Sequence, residues 1–206
     1  MANDRAFQKR YMIPVEYKIS KKKTGLVEMD EGITPTTLDS LAQLKPVIPG
    51  GVHSFGAQTH PADGNCGLIV TTREKAQALS KDKNINVQII SYGYGRAEQD
   101  HMAMAVVPAS NMALKNAGIS IKDVKTIKSH NPFTANDLYM ANEMGLDVMT
   151  MNNYGCSLVY GHPQAPTAGR TIIEMIEELA ILGGGYGLFT GCAAGDTGAA
   201  LVIKVS

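Results

Sequence analysis

Cysteine is scarce in this sequence, with only Cys66, Cys156 and Cys192, and no two of them form a Cys-x-x-Cys pair. An odd number of widely spaced cysteines argues against a disulfide framework and against a structural zinc site, so we expect no bound metal. A charge surplus is absent too, because 19 basic and 19 acidic side chains give a formal net charge of +0. Without a basic surplus, nucleic acid is not an expected partner.

Long apolar runs are also missing. No stretch approaches the roughly eighteen apolar residues that a membrane-spanning helix needs. The first ten residues, MANDRAFQKR, carry charges where a secretory signal would have an apolar segment. We therefore predict a cytoplasmic protein that does not bind membranes. With 206 residues, 44% of them hydrophobic, the chain can bury the core of one large or two small domains.

Helical and extended patterns alternate in the second part of the chain, which indicates an α/β fold. A helix is predicted from Pro108 to Gly118, since proline is favoured at the start of a helix and glycine just beyond its end. The other elements predicted there are the strands INVQIISY and VKTIKS, the apolar segment DVMTM, helices after Thr134 and over 167–182, and a terminal hairpin of YGLFTGC and TGAALVIKV. Upstream, the pattern predicts the strands VHSFGAQ and CGLIVTT and the helix REKAQAL.

Two side chains suited to proton transfer stand near predicted strand ends. His162 lies in a Gly-His-Pro turn and Cys192 in a glycine-rich hairpin. An imidazole lowers the pKa of a neighbouring thiol and exchanges its proton, which is the basis of acyl-transfer and proton-abstraction chemistry. The glycines around Cys192 permit a backbone path that brings N–H groups to a substrate oxygen. Spacing alone does not establish that His162 and Cys192 meet.

Three motifs, in this order, resemble the carboxy-terminal end of the thiolase family: SHNPF at 129–133, GHPQAPTAGR at 161–170 and GLFTGCAAGDTGAALVI at 187–203. HPADGNCGLIVTTREKAQAL at 60–79 resembles the Asp-Gly strand that closes the first half of the family fold. The resemblance implies a thiolase-like α/β fold with a mixed five-stranded sheet covered by helices. It assigns the carboxy-terminal half-domain to 85–206, the last strands and helix of the amino-terminal half to 51–84, and a loop-region segment to 1–50.

The resemblance also implies an activity, acyl-CoA C-acyltransfer, in which two acyl-CoA thioesters are joined or a 3-ketoacyl-CoA is cleaved by thiolysis. Coenzyme A thioesters would be the substrates, and no cofactor is expected. The family's nucleophilic cysteine lies in a first half that has no counterpart here, so a partner chain would supply it in a hetero-oligomer, a dimer of heterodimers. Two alternatives are a non-catalytic CoA-binding or scaffolding subunit and a Cys–His hydrolase, which fits poorly because Cys192 lacks an activating helix amino terminus.

For individual residues, the resemblance assigns His162 as the base that activates the partner's cysteine and Cys192 as the acid/base at the substrate α-carbon. His130 would hold a water that, with His162, stabilises the enolate oxygen. Ala194 stands where the family has a glycine whose N–H joins an oxyanion hole, and its methyl group would narrow the space beside the thioester. Contacts to coenzyme A fall on three further residues: Phe133, Met102, for which simple packing is the alternative, and Thr59.

Overall fold

The computed structural model describes residues 5–206, so the first four residues of the predicted segment 1–50 lie outside it. Strands β1 (Val15–Ser20) and β2 (Lys23–Val27) form a separate antiparallel hairpin. A four-stranded sheet in the order β3-β6-β5-β4 is built from β3 (Val87–Arg96), β4 (Val124–His130), β5 (Gly185–Ala193) and β6 (Thr197–Val205). Strands β4 and β5 are parallel and the other pairs are antiparallel, which confirms a mixed sheet.

The helices of residues 5–206 are α1 (Leu38–Ala42), α2 (Arg73–Leu79), α3 (Val106–Ala117), α4 (Thr134–Met144), α5 (Ser157–Tyr160) and α6 (Ala165–Ile181). Two of them, α3 and α6, pack on the faces of the sheet. Helix α3 shares one core cluster with Leu188 and Val202, and α6 shares another with Phe189 and Ile203. Because adjacent strand residues point to opposite faces, the two helices lie on opposite sides of the sheet.

Helix α3 packs directly on β3, which has a glycine where the two cross. A Cβ atom at Gly93 would stand 2.2 Å from the carbonyl oxygen of Ala109. The helix begins at Val106, two residues before the predicted start at Pro108. Its predicted end is confirmed, because Gly118 follows the last turn with φ +68°, a conformation that glycine adopts without strain.

The predicted fifth strand is wrong, since the sheet has four strands in the described part of the chain. Within DVMTM, Val148–Thr150 form a single 3-10 turn, and the Asp147 side chain accepts a hydrogen bond from the backbone of Met149. Asn152 then occupies the outer edge of β4. Its N–H donates to Ile127 O (3.1 Å), and its Oδ1 accepts from the N–H of Ser129 (2.9 Å). A side chain thus supplies the hydrogen bond that a fifth strand would otherwise make.

Two strands predicted upstream are also wrong. Within VHSFGAQ, Phe55–Ala57 form a 3-10 turn. The segment CGLIVTT at 66–72 contains no strand, and Ile69 and Val70 are 79% and 75% exposed. A strand needs a neighbour for its backbone hydrogen bonds, and no strand of residues 5–206 pairs with this segment. The helix predicted at REKAQAL is confirmed as α2.

The structure also bears on membrane insertion. Among the helices of residues 5–206, none combines the length and the apolar character needed to cross a bilayer. The longest, α6, has 17 residues and buries Glu174 and Glu178 along its length. Its burial pattern is that of a helix packed on a sheet.

Candidate active site

The parallel pairing of β4 and β5 brings His130 and Cys192 to the same edge of the sheet. His130, the last residue of β4, pairs with Gly191, and Cys192 follows directly in β5. A Cβ atom at Gly191 would stand 3.1 Å from the Cβ of His130. The glycine therefore leaves room for the imidazole, and carboxyl ends of parallel strands are a common location for functional side chains.

His162 reaches this edge from the turn between α5 and α6. Gly161 has φ +91°, and the next residue is tied down because the N–H of His162 donates to His60 O at 2.7 Å. The rings of His130 and His162 stack with centroids 4.3 Å apart and an interplanar angle of 26°. His130 and His162, which are 32 residues apart in the sequence, therefore meet with their rings face to face.

A cavity of about 690 Å³ lies at this edge of the sheet. This volume falls within the range of small-molecule sites, roughly 300–1,000 Å³. All of the residues that the sequence singled out line it: Thr59, Met102, His130, Phe133, His162, Cys192 and Ala194. The structure thus places the predicted residues together, while their roles remain predictions.

Both histidines are held in the neutral form. Burial, and then the neighbouring His162, lower the pKa of His130 from 6.5 to about 4. Burial also lowers the pKa of His162. The Nδ1 atom of His162 lies 2.7 Å from Oγ1 of Thr167, a buried residue in the first turn of α6. Neutral imidazoles in an enclosed site can accept a proton or a hydrogen bond, as a general base requires.

Cys192 is 8% exposed. Burial raises the pKa of its thiol, and a hydrogen bond from Asn136 acts in the opposite direction. The Nδ2 atom of Asn136 lies 3.2 Å from Sγ of Cys192. A thiol with a raised pKa is protonated at neutral pH, so Cys192 is suited to donating a proton.

Ala194 occupies the hairpin that follows Cys192. The left-handed positions of this turn are Gly195 (φ +79°) and Asp196 (φ +58°), and Ala194 itself has no positive φ. A side chain at position 194 therefore causes no backbone strain. Ala194 lines the cavity, and the narrowing of the space by its methyl group stays a prediction.

Several polar residues that support the site were not predicted from the sequence. They are Asn136 beside Cys192, Thr167 beside His162, and Ser157 beside His130, whose Oγ lies 3.3 Å from Nδ1 of the imidazole. Thr167 lies within the motif GHPQAPTAGR and Asn136 three residues after the motif SHNPF, and each stands in the first turn of a helix. That position is the one signal that could have identified them. Ser157 carries no such signal.

The fold thus brings a buried thiol and two imidazoles to one cavity, an arrangement suited to proton transfer. Residues 83–205 match the family model described as "Thiolase, C-terminal domain". The chain belongs to the thiolase family, and its fold is the thiolase fold.

Individual relatives agree with this assignment. The chain is 30% identical to the human mitochondrial 3-ketoacyl-CoA thiolase, over 98% of this chain and 51% of that protein. It is 29% identical to an acetyl-CoA acetyltransferase of Syntrophomonas wolfei, over 94% of this chain and 49% of that protein. The crystal structure of the Bacillus anthracis acetyl-CoA acetyltransferase superimposes with a TM-score of 0.90 at 25% identity, covering 98% of this chain and 51% of that one. The chain thus spans about half the length of these relatives.

Proposed function

We propose that this chain is the carboxy-terminal subunit of a two-chain acyl-CoA C-acyltransferase, which joins two acyl-CoA thioesters or cleaves a 3-ketoacyl-CoA. The observation that carries the proposal is the convergence of Cys192, His130 and His162 on one cavity. The relatives described above are named as a thiolase and as acetyltransferases. A scaffolding subunit has no chemical need for all three side chains. Coenzyme A thioesters are the substrates, and no cofactor takes part.

His162 serves as the base that activates the nucleophilic cysteine of a partner chain. Its lowered pKa keeps the imidazole neutral, so it can take the thiol proton as the sulfur attacks the acyl carbon. The imidazolium then gives this proton to the coenzyme A sulfur as the thioester C–S bond breaks, so that coenzyme A leaves as its thiol. When the C–S bond of the acyl-enzyme later breaks, the partner's cysteine leaves as a thiolate and recovers the proton that Cys192 took from the α-carbon. Shared proton transfer of this kind is the usual activation of a cysteine nucleophile.

Cys192 exchanges the second proton. In condensation, its thiolate takes a proton from the α-carbon of the incoming thioester, and the resulting enolate attacks the acyl carbon of the acyl-enzyme. A carbon–carbon bond forms as the C–S bond breaks. In thiolysis, the thiol of Cys192 returns that proton to the departing α-carbon. The hydrogen bond from Asn136 stabilises the thiolate that this cycle requires.

The other residues of the site bind the substrate oxygen and the coenzyme A arm. His130 holds a water that, with His162, stabilises the enolate oxygen, and the N–H of Ala194 contributes to a second oxyanion hole. Phe133 and Met102 both line the cavity. In this proposal Phe133 contacts the pantetheine arm and Met102 lies near the thioester. Thr59 also lines the cavity, although its hydroxyl donates to Ser157 O at 2.5 Å, so the threonine contacts the arm through its methyl group.

A partner chain supplies the nucleophilic cysteine in this proposal. Its basis is the half-length match to the relatives and the environments of the three cysteines in this chain. Cys192 takes part in proton exchange, burial raises the pKa of Cys156, and Cys66 is exposed outside the cavity. The assembly is a cytoplasmic hetero-oligomer, a dimer of heterodimers.

Two variants in the reconstituted complex test these roles. Cys192→Ser should suppress condensation and thiolysis while leaving acylation of the partner's cysteine nearly intact, whereas His162→Ala should impair both steps. Positioned acid/base groups contribute about 10²–10⁴ in rate, so single-turnover acylation measured by mass spectrometry separates the two. Cys66→Ser is the matched control and should leave both steps unchanged. If Cys192→Ser blocked acylation and spared proton exchange at the α-carbon, the assigned roles would be reversed.

A further inference from the structure

A network of polar side chains contacts His130, and none of its other members lines the cavity. Most of it is buried, and its members come from β4, the turn after β4, α4 and the segment before the Gly-His-Pro turn: Ser129, Asn131, Asp137, Asn152 and Ser157. Buried polar networks of this kind fix the orientation of each member when every group is satisfied. The donors and acceptors can therefore be assigned one by one.

Asp137 is the starting point of this assignment because a carboxylate oxygen accepts hydrogen bonds. Its Oδ2 lies 2.5 Å from Nδ2 of Asn131 and 3.1 Å from Nδ2 of Asn152, and its Oδ1 is bonded to Ser129. The amide N–H₂ group of Asn131 therefore points to Asp137. Its Oδ1 points the other way, to Ser157.

Ser157 has one hydroxyl proton, which it uses in a hydrogen bond to Asn131. The Oγ of Ser157 donates to Oδ1 of Asn131 at 2.9 Å and accepts from the N–H of the same residue at 3.2 Å. A hydroxyl has one donor and two acceptor positions. Towards Nδ1 of His130, 3.3 Å away, the Ser157 oxygen can only accept. The proton between them must therefore belong to the imidazole.

We propose that Ser157 is a positioning residue that holds His130 in the Nδ1–H tautomer, so that Nε2 faces the cavity as a hydrogen-bond acceptor. In a neutral imidazole one nitrogen donates and the other accepts, and Nε2 has no hydrogen-bond partner among residues 5–206. Whatever binds His130 in the cavity must then offer a hydrogen-bond donor. The identity of this donor rests on the proposed function: it is a water that donates one hydrogen bond to Nε2 and another to the substrate oxygen.

Nuclear magnetic resonance of the full chain, uniformly labelled with ¹⁵N, tests the assignment at pH 7. Long-range ¹H–¹⁵N correlations distinguish a protonated Nδ1 from a protonated Nε2, and His130→Gln identifies the signals. We expect wild type to show the Nδ1–H tautomer, Ser157→Ala to show a mixture of the two, and Ser157→Thr, which keeps the hydroxyl, to restore the wild-type signals. Ser110→Ala removes an equally buried serine that bonds to its own helix and should change nothing.

An Nε2–H tautomer in the wild-type chain would overturn the proposal without any variant. An unchanged Nδ1–H signal in Ser157→Ala would overturn it as well. The measurement needs neither partner chain nor acyl-CoA. A failure here would therefore leave the proposed acyl transfer standing, whereas an inactive reconstituted complex would remove that function and leave the tautomer of His130 unaffected.

Discussion

Burial shifts the pKa of three residues that line the cavity in the direction that favours their neutral forms. Burial lowers the pKa of His130 and His162 and raises that of Cys192. The polar groups next to them, including Asn136 and Ser157, then decide how easily each can become charged or which nitrogen carries the proton. Functional tuning at this site therefore depends on side chains that themselves need not touch the substrate.

Acid should destabilise the chain through His130. Its pKa is 6.5 when exposed and about 4 in the folded chain, so between these values the unfolded chain binds a proton that the folded chain refuses. The contribution of neutral His130 to the free energy of unfolding is therefore fully present above pH 6.5. It decreases as the pH falls, by about 3 kcal/mol at pH 4. The free energy of unfolding, measured with urea, should differ less between pH 7 and pH 4 in His130→Asn than in wild type, by this amount. His101→Asn, at an exposed histidine, should keep the wild-type difference.

Removing the amide of Asn136 should make Cys192 less reactive. A hydrogen bond to a charged group is worth roughly 1.5–3 kcal/mol, and this one favours the thiolate, so Asn136→Leu should slow alkylation of Cys192 by iodoacetamide at pH 8 about tenfold or more. Mass spectrometry of the modified cysteine gives the rate. Asn142→Leu, at an exposed position on the same helix, is the matched control. Equal rates in wild type and Asn136→Leu would contradict the assigned hydrogen bond.

At the scale of elements, α6 does more than cover the sheet, because it also anchors the amino-terminal segment. Arg170 donates to both carboxylate oxygens of Asp30, at 2.5 and 2.9 Å, and to Glu174 at 3.2 Å. Its guanidinium carbon lies 3.5 Å from the centre of the Tyr160 ring. The hydroxyl of Tyr11 bonds to Glu174 as well. Residues 11–30 are thereby tied to the helix that follows His162.

Loss of Arg170 should therefore be costly. Breaking a buried ion pair by removing one partner leaves an uncompensated charge and costs about 3–5 kcal/mol, so we expect Arg170→Met to lower the free energy of urea unfolding by this amount. Arg10→Met removes an ion pair with Glu177 on the same helix, but Arg10 is 41% exposed, and such pairs are worth about 0–1 kcal/mol. Similar losses in the two variants would show that the ion pairs of Arg170 with Asp30 and Glu174 stabilise the fold no more than an exposed pair does.

Local patterns predicted the elements that carry the chemistry and missed those that depend on distant partners. The terminal hairpin, α6 and the three recognised motifs follow from periodicity, turn residues and motif order. The predicted fifth strand is absent from the sheet of residues 5–206, and Asn152 lies beside β4 instead. Likewise, Ser157 meets Asn131 across 26 residues, and no local signal indicates a contact at that separation. The cavity wall was thus predictable from the sequence, and its supporting hydrogen bonds were not.

At the scale of the whole molecule, the apolar segment 68–70 stands out because its three consecutive side chains are exposed in the structure of residues 5–206. Leu68, Ile69 and Val70 are 47%, 79% and 75% exposed. Just before this segment the chain packs against α6. A Cβ atom at Gly169 of that helix would stand only 2.1 Å from the sulfur of Cys66. Consecutive exposed apolar side chains of this kind mark interfaces. In the proposed enzyme, the partner that carries the nucleophilic cysteine covers them.

The isolated chain should consequently show no thiolysis of 3-ketoacyl-CoA, and activity should appear when it is mixed with a polypeptide that carries the amino-terminal half of a thiolase. Ile69→Lys should weaken this complex, because a charge would enter an apolar contact. Met149→Lys is the control, since Met149 is 81% exposed but follows Val148, which packs on the α3 and α4 side of the sheet. Sedimentation equilibrium of each variant with the partner, together with a thiolysis assay, measures both effects. An active, monomeric chain with an acyl group on one of its own cysteines would refute the two-chain proposal.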